Sequence, residues 1–194
     1  MTVTASAEKP WLLFDWGDTL MKDDPTAEGP MALWSHVEAV HGALEVLTSL
    51  KPEWRLALAT NAVASNEDQI RAALKRVNLD QLIEMIFCFQ SIGYKKPSPQ
   101  FFACVLKDLG VTAGQVIMVG DNFDIDVAGA NGMGIRAIWL NGHSDEIRAG
   151  TLYRTIRNLI ELPQVLTGFN VGMNARYLRR QARSPSKLTF TRTT

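Results

Sequence analysis

The sequence predicts an α/β protein built on a doubly wound parallel sheet, and three observations predict it. Short apolar runs recur along the chain, each continuous rather than alternating, as strands buried on both faces are. Helical patterns separate these runs, which is the order of a sheet covered on both sides. The three best runs end in Asp15, Thr60 and Gly120-Asp121, and such a sheet brings its carboxyl ends to one edge, where ligands bind.

Taken in order, the first strand is Trp11–Phe14, running into Asp15. Ala32 to Leu50 reads as the longest helix, with Leu33, Val37, Val40, Leu44 and Leu47 near one stripe. Arg55–Ala59 is the second strand, ahead of Thr60. A helix from Asn66 to Val77 opens with Asn-Glu-Asp-Gln, where Asn66 caps and Gln69 reaches back. Ile86–Phe89 is a weaker strand. Ser98-Pro99-Gln100 starts the next helix, which passes through Phe101, Val105 and Leu109 and stops at Gly110. Val116–Val119 is the third strong strand, Asp126 to Asn131 a short helix ending near Gly132, and Ile135–Leu140 a last weak strand.

Beyond about residue 166 the pattern fades. The expected organisation is a core over 1–166 and a basic, poorly ordered tail over 167–194, with a short helix near Ala175–Ala182. No acidic residue follows Glu161, while Arg176, Arg179, Arg180, Arg183, Lys187 and Arg192 are basic. A solvated terminus is the expectation for it rather than a nucleic-acid site. The formal net charge of zero gives no case for a nucleic-acid or membrane partner. An apolar fraction of 46% with 21% charged residues is that of an ordinary soluble domain. Cys88 and Cys104 form no metal-type spacing and read as free thiols of a cytoplasmic protein. Met1 to Pro10 does not have the pattern of a signal peptide, and no apolar stretch approaches the ~20 residues of a membrane span. His36, His41 and His143 lack metal-ligand spacing.

The strand ends carry chemistry. Asp15 and Asp121 are hard oxygen donors of the kind magnesium takes. A carboxylate can also attack phosphorus and form an aspartyl phosphate. Thr60 offers a hydroxyl and Asn61 an amide to phosphate oxygens, and Lys96 a positive charge against the transferring group.

These residues resemble the haloacid dehalogenase superfamily of aspartate-nucleophile hydrolases. Four motifs in order carry the resemblance, over about two-thirds of the chain: Asp15-Trp16-Gly17-Asp18-Thr19-Leu20, Leu58-Ala59-Thr60-Asn61, Lys96-Pro97, and Val119-Gly120-Asp121-Asn122 with Asp126 to Gly134 behind it. It implies a Rossmann-like core and a magnesium-dependent phosphohydrolase acting on a phosphorylated substrate. Asp15 would be nucleophile and metal ligand, the Gly17 carbonyl and Asp121 further ligands, Thr60 a phosphate binder, and Lys96 the neutralising charge. Asn122 and Asp126 would stand behind the metal. Asp126 would either orient Lys96 or simply favour a helix N-terminus. Trp16 would either stack on the substrate or pack.

One position departs from that pattern. Related phosphatases usually read Asp-x-Asp-Gly-Thr, and the second aspartate protonates the leaving group and then activates water. Gly17 stands there instead, with Asp18 one residue later. Three readings stay open: Asp18 takes over the role; the enzyme hydrolyses acyl phosphates or other good-leaving-group substrates; or the chain is a catalytically degenerate binding protein. Asp18 could equally make a local turn bond. Phosphonate-cleaving relatives also lack the second aspartate, but they need a lysine from a helical cap, and Lys22 is the sole lysine from Met21 to Met31. That insertion, about 21–31, leaves little or no cap domain. An open site then fits a bulky or macromolecular substrate, or a lid from a second subunit of a homo-oligomer.

Overall fold

The computed structural model describes residues 9–169. The basic segment with its expected helix near Ala175–Ala182 lies outside them. Six strands form one parallel sheet: β1 (Trp11–Phe14), β2 (Arg55–Thr60), β3 (Met85–Cys88), β4 (Val116–Gly120), β5 (Arg136–Leu140) and β6 (Tyr153–Ile156). Their order is β3-β2-β1-β4-β5-β6. The chain therefore builds outward from β1 on one side and then crosses to build outward on the other. The switch point lies between β1 and β4, whose ladders pair Phe14 with Val119. An open α/β sheet offers its ligand crevice at this place.

Side chains alternate across the strands, and both sets are buried. Trp11 and Leu13 of β1, Ala57 and Ala59 of β2, and Val116 and Met118 of β4 belong to one core cluster with Phe101, Phe102 and Val105 of the helix α4 (Pro99–Leu109). Leu12, Phe14, Leu56, Leu58, Ile117 and Val119, also buried, point to the opposite face. Right-handed crossovers place α1 (Ala43–Leu50) and α2 (Glu67–Arg76) on that face, where Leu47, Ile70 and Leu74 are buried. A single-turn α3 (Phe89–Ile92) follows β3, and the remaining helices are α5 (Gly129–Gly132) and α6 (Leu162–Gly168).

Local signals placed most of these elements. Asn66 caps α2 through the backbone N–H of Gln69, whose side chain returns to the Asn66 N–H. Ser98 caps α4 with Pro99 in its first turn, and Gly110 ends it in the left-handed conformation. The helix expected from Ala32 to Leu50 is a correction: only Ala43–Leu50 is α-helical, preceded by a 3-10 turn at Met31–Leu33. The backbone between them is engaged elsewhere. Lys22 N–H donates to Glu38 O and Val40 N–H to Leu20 O, both at 2.9 Å, and Gly42 turns the chain at φ 80°. Leu33, placed on the buried stripe by its spacing, is 76% exposed. β6 was not expected; three of its four residues are not buried, as befits an edge strand.

Phe102 is fully buried, edge-on to Phe101 at 5.5 Å between centroids. Phe102→Ala is expected to cost about 3–5 kcal/mol by urea unfolding.

Candidate active site

Four loops meet at the switch point. Asp15 leaves β1 with its N–H bonded to Val119 O at 2.9 Å, so the β1–β4 ladder extends up to the candidate nucleophile. Asn61 leaves β2, and both ends of its amide bond the backbone of Lys96: Nδ2 donates to Lys96 O and Lys96 N–H donates to Oδ1, each at 2.8 Å. The Lys96 ammonium then reaches Asp15 Oδ1 and Asp126 Oδ1, each at 2.6 Å. Lys96 and Asp126 side chains are 1% exposed, and Asp15 15%.

Asp126 rides on a π-turn, Phe123–Ala128, capped by Asn122, whose Oδ1 accepts from Ile125 N–H. The Asn122 N–H bonds Asp126 Oδ2 at 3.1 Å, so both Asp126 oxygens are engaged. Gly120 makes this approach feasible. A Cβ there would lie 2.3 Å from Asp126 Oδ2 and 2.6 Å from Asp126 Cβ. Asp121 follows at the end of β4. Its Oδ1 accepts from the buried Thr19 hydroxyl at 3.4 Å, and its backbone carbonyl from Trp139 Nε1 at 2.7 Å.

The charges oppose one another. Burial pushes the Asp121 carboxyl up to about 6, and the Asp15 and Asp18 charges add to the rise. Burial also lifts Asp126, to about 7, against the pull of Lys96 and with a further push from Asp15. Burial pulls Lys96 down, but the carboxylates of Asp15 and Asp126 outweigh it and hold the ammonium above the usual lysine range. One oxygen each of Asp15, Asp121 and Asp126 lies within 4.8 Å of the other two.

These residues line an open cleft of about 360 Å³. Thr60 is buried at its floor, its Oγ1 accepting from Ala62 N–H at 3.1 Å. Trp16 is buried along one wall, and its indole nitrogen has no hydrogen-bond partner among the described residues. Gly17 borders the cleft with a carbonyl that accepts no hydrogen bond from the described residues. Asp18 is exposed at φ 51°, with Oδ1 accepting from Asp23 N–H at 3.1 Å. A second hollow of about 460 Å³ lies along residues 22–38 and shares Asp23 and Trp34 with the cleft.

The family model of haloacid dehalogenase-like hydrolases matches residues 27–140, more than half of the chain. The chain belongs to this family. Ribulose-1,5-bisphosphate 5-phosphatase of Halopiger xanaduensis is 27% identical to it over 144 residues, 70% of this chain and 59% of that one. Glyceraldehyde 3-phosphate phosphatase of Pyrococcus abyssi is 30% identical over 107 residues, 55% and 44% of the two chains. This haloacid dehalogenase-like chain thus spans about half the length of the curated relatives it matches. An uncharacterized protein from Listeria monocytogenes serotype 4b superposes with a TM-score of 0.74 at 25% identity, over 82% of this chain and 98% of its own.

The haloacid dehalogenase-like core brings Asp15, Trp16, Gly17, Asp18, Thr60, Asn61, Lys96, Asp121, Asn122 and Asp126 to one cleft. Asn61 has a structural task beside its cleft position, because its amide oxygen and one of its two amide N–H groups bond the Lys96 backbone. Three residues with no expected role also belong here. Thr19 bonds Asp121, and its signal was its place in the first motif. Buried Ser65 and exposed Asp23 line the cleft without a sequence signal of their own. Lys95 is exposed, its ammonium 5.0 Å from the Phe89 ring, and the three histidines are exposed too.

Gly120→Ala is expected to force Asp126 away from Lys96. Urea unfolding is expected to register a loss of about 1–3 kcal/mol, as overpacked sites do; unchanged stability would show that the turn yields freely.

Proposed function

We infer that the protein is a magnesium-dependent phosphohydrolase that works through an aspartyl phosphate on Asp15. The observation that carries this reading is Asp15 at the sheet's switch point, with one oxygen on the Lys96 ammonium and no hydrogen bond from the described residues on the other. A free carboxylate oxygen is a nucleophile; a buried ammonium beside it offsets the charge of an arriving phosphoryl group. Thr60 at the floor of the cleft would bind a phosphate oxygen. Asn61 holds Lys96 in place, and Asp126 fixes the ammonium from behind.

The donors fit a magnesium ion. Asp15 and Asp121 are hard oxygen ligands, the Gly17 carbonyl accepts no hydrogen bond from the described residues, and Asp121 is pushed upward by burial first and by the nearby Asp15 charge second. Asp126 has both oxygens engaged, so it supports the site from behind. A bound magnesium would supply charge neutralisation on the transferring phosphoryl group. The relatives named as phosphatases support a phosphate ester as substrate. The open cleft with a second hollow along residues 22–38 fits a bulky phosphorylated substrate or a covering subunit. No helix among the described residues is long and apolar enough to cross a membrane, and Cys88 and Cys104 are free, which supports a reducing, cytoplasmic setting.

Phosphate release from a panel of phosphate esters with magnesium is expected, and Asp15→Asn is expected to abolish it. A panel without any release would sink the reading. Binding is tested separately by thermal unfolding. Magnesium at about 100 times its dissociation constant is expected to stabilise the protein by about 2.7 kcal/mol. Asp121→Asn is expected to remove most of that gain, and an equal gain in the variant would exclude Asp121 as a ligand.

A further inference from the structure

We propose that Asp23 is the acid–base catalyst of this site, reaching from the loop into the space above Gly17. The assignment rests on the phosphohydrolase reading. Hydrolysis through Asp15 needs a group that gives a proton to the leaving oxygen and later takes one from water. The ionisable side chains that line the cleft are Asp15, Asp18, Asp23, Lys96, Asp121 and Asp126. Asp15 attacks; Lys96 is shared between two carboxylates; Asp126 has both oxygens bonded. Asp121 accepts from Thr19 and faces Asp15 across the ligand position. Two aspartates are left, and geometry separates them.

A Cβ built on Gly17 would lie 3.4 Å from Asp23 Oδ2 and 3.6 Å from Asp23 Cβ. The Asp23 carboxylate therefore stands beside the backbone two residues after the nucleophile, where Gly17 itself offers no side chain. Asp23 Oδ1 accepts from Asp24 N–H at 3.0 Å, while Oδ2 has no hydrogen-bond partner among the described residues. Asp18 is the tether: its Oδ1 holds the Asp23 N–H, and its φ of 51° turns the chain to allow it. The loop between them is fixed by Leu20 and Met21 N–H on Trp16 O and by Lys22 N–H on Glu38 O, with Met21 fully buried. Asp23 is thus delivered by a knitted loop rather than by a free one.

The two steps balance. An Asp15 oxygen bonds to phosphorus, the ester P–O bond breaks, and its electron pair goes to the leaving oxygen, which takes the proton of the Asp23 carboxyl. Water then attacks the phosphorus of the aspartyl phosphate and gives its proton to the Asp23 carboxylate. The bond from phosphorus to Asp15 breaks with its electron pair returning to Asp15, and inorganic phosphate leaves.

The test compares the full-length protein with Asp23→Asn and Asp18→Asn, in magnesium, on glycerol phosphate and on acetyl phosphate. Acid-quenched intact-mass measurement reads the aspartyl phosphate alongside phosphate release. Asp23→Asn is expected to lose about 10²–10⁴-fold in turnover of glycerol phosphate. Acetyl phosphate, whose leaving group needs no proton, is expected still to label Asp15 in that variant, and the label to persist because water is not activated. Asp18→Asn keeps an acceptor oxygen for the tether, so its loss is expected to be smaller and its label not to persist. Turnover of glycerol phosphate in Asp23→Asn at the unsubstituted rate would overturn the assignment while leaving the hydrolase reading intact. The larger loss in Asp18→Asn would do the same and move the role to Asp18. Absence of both label and turnover in the unsubstituted protein would overturn the hydrolase reading and this assignment with it.

Discussion

The Lys96 ammonium between Asp15 and Asp126 is the interaction on which the rest of this site depends. It joins the end of β1 to the turn after β4 through a chain segment that arrives from the far side of the sheet. A charge this deeply buried is costly unless its partners are close and well aligned, and removing one partner strands the other. The surrounding residues therefore act as a frame. Asn61 fixes the backbone of Lys96 from β2, Asn122 fixes the second oxygen of Asp126, and Gly120 leaves the space into which that carboxylate fits.

That frame explains why parts of the site were legible in the sequence and parts were not. Asp15, Thr60 and Asp121 were legible because each ends a continuous apolar run, and a parallel sheet must bring such ends together. The caps Asn66, Ser98 and Gly110 were legible because their signals are local. The backbone role of Asn61 was not legible, because an amide beside a phosphate site suits a ligand as well as it suits a backbone. Only the approach of a segment 35 residues later reveals the backbone role. Ser65 gave no distinct signal, and Thr19 none beyond its place in the first motif, because a buried hydroxyl is placed by neighbours that sequence spacing does not reveal.

The same distinction governs the overturned helix from Ala32 to Leu50. Its apolar spacing was genuine, but helix formation also requires the backbone donors and acceptors to be free for one another. Between Glu38 and Val40 they bond instead to Leu20 and Lys22, which draws the loop after β1 against this segment. Arg76 at the end of α2 adds bonds to the carbonyls of Trp34 and Ser35. A stretch that looked like a framework element is thus the outer wall of the loop that carries Asp23.

Gly17 and Asp23 are best understood together. Taken alone, glycine at position 17 is a missing carboxylate. Beside Asp23 it is also an opening, because a Cβ at that point would touch the carboxylate it faces, and a longer side chain would contend for the same space. The loop bonds from Trp16 to Met21 and from Asp18 to Asp23 turn that opening into a defined position. A short insertion can then do more than leave the cleft uncovered. By folding tightly against the first motif, it brings the Asp23 carboxylate beside Gly17 in the cleft that Asp15 also lines. Gly17 and the tethered Asp23 thus form one arrangement, the carboxylate standing within van der Waals reach of the place where a side chain at 17 would begin.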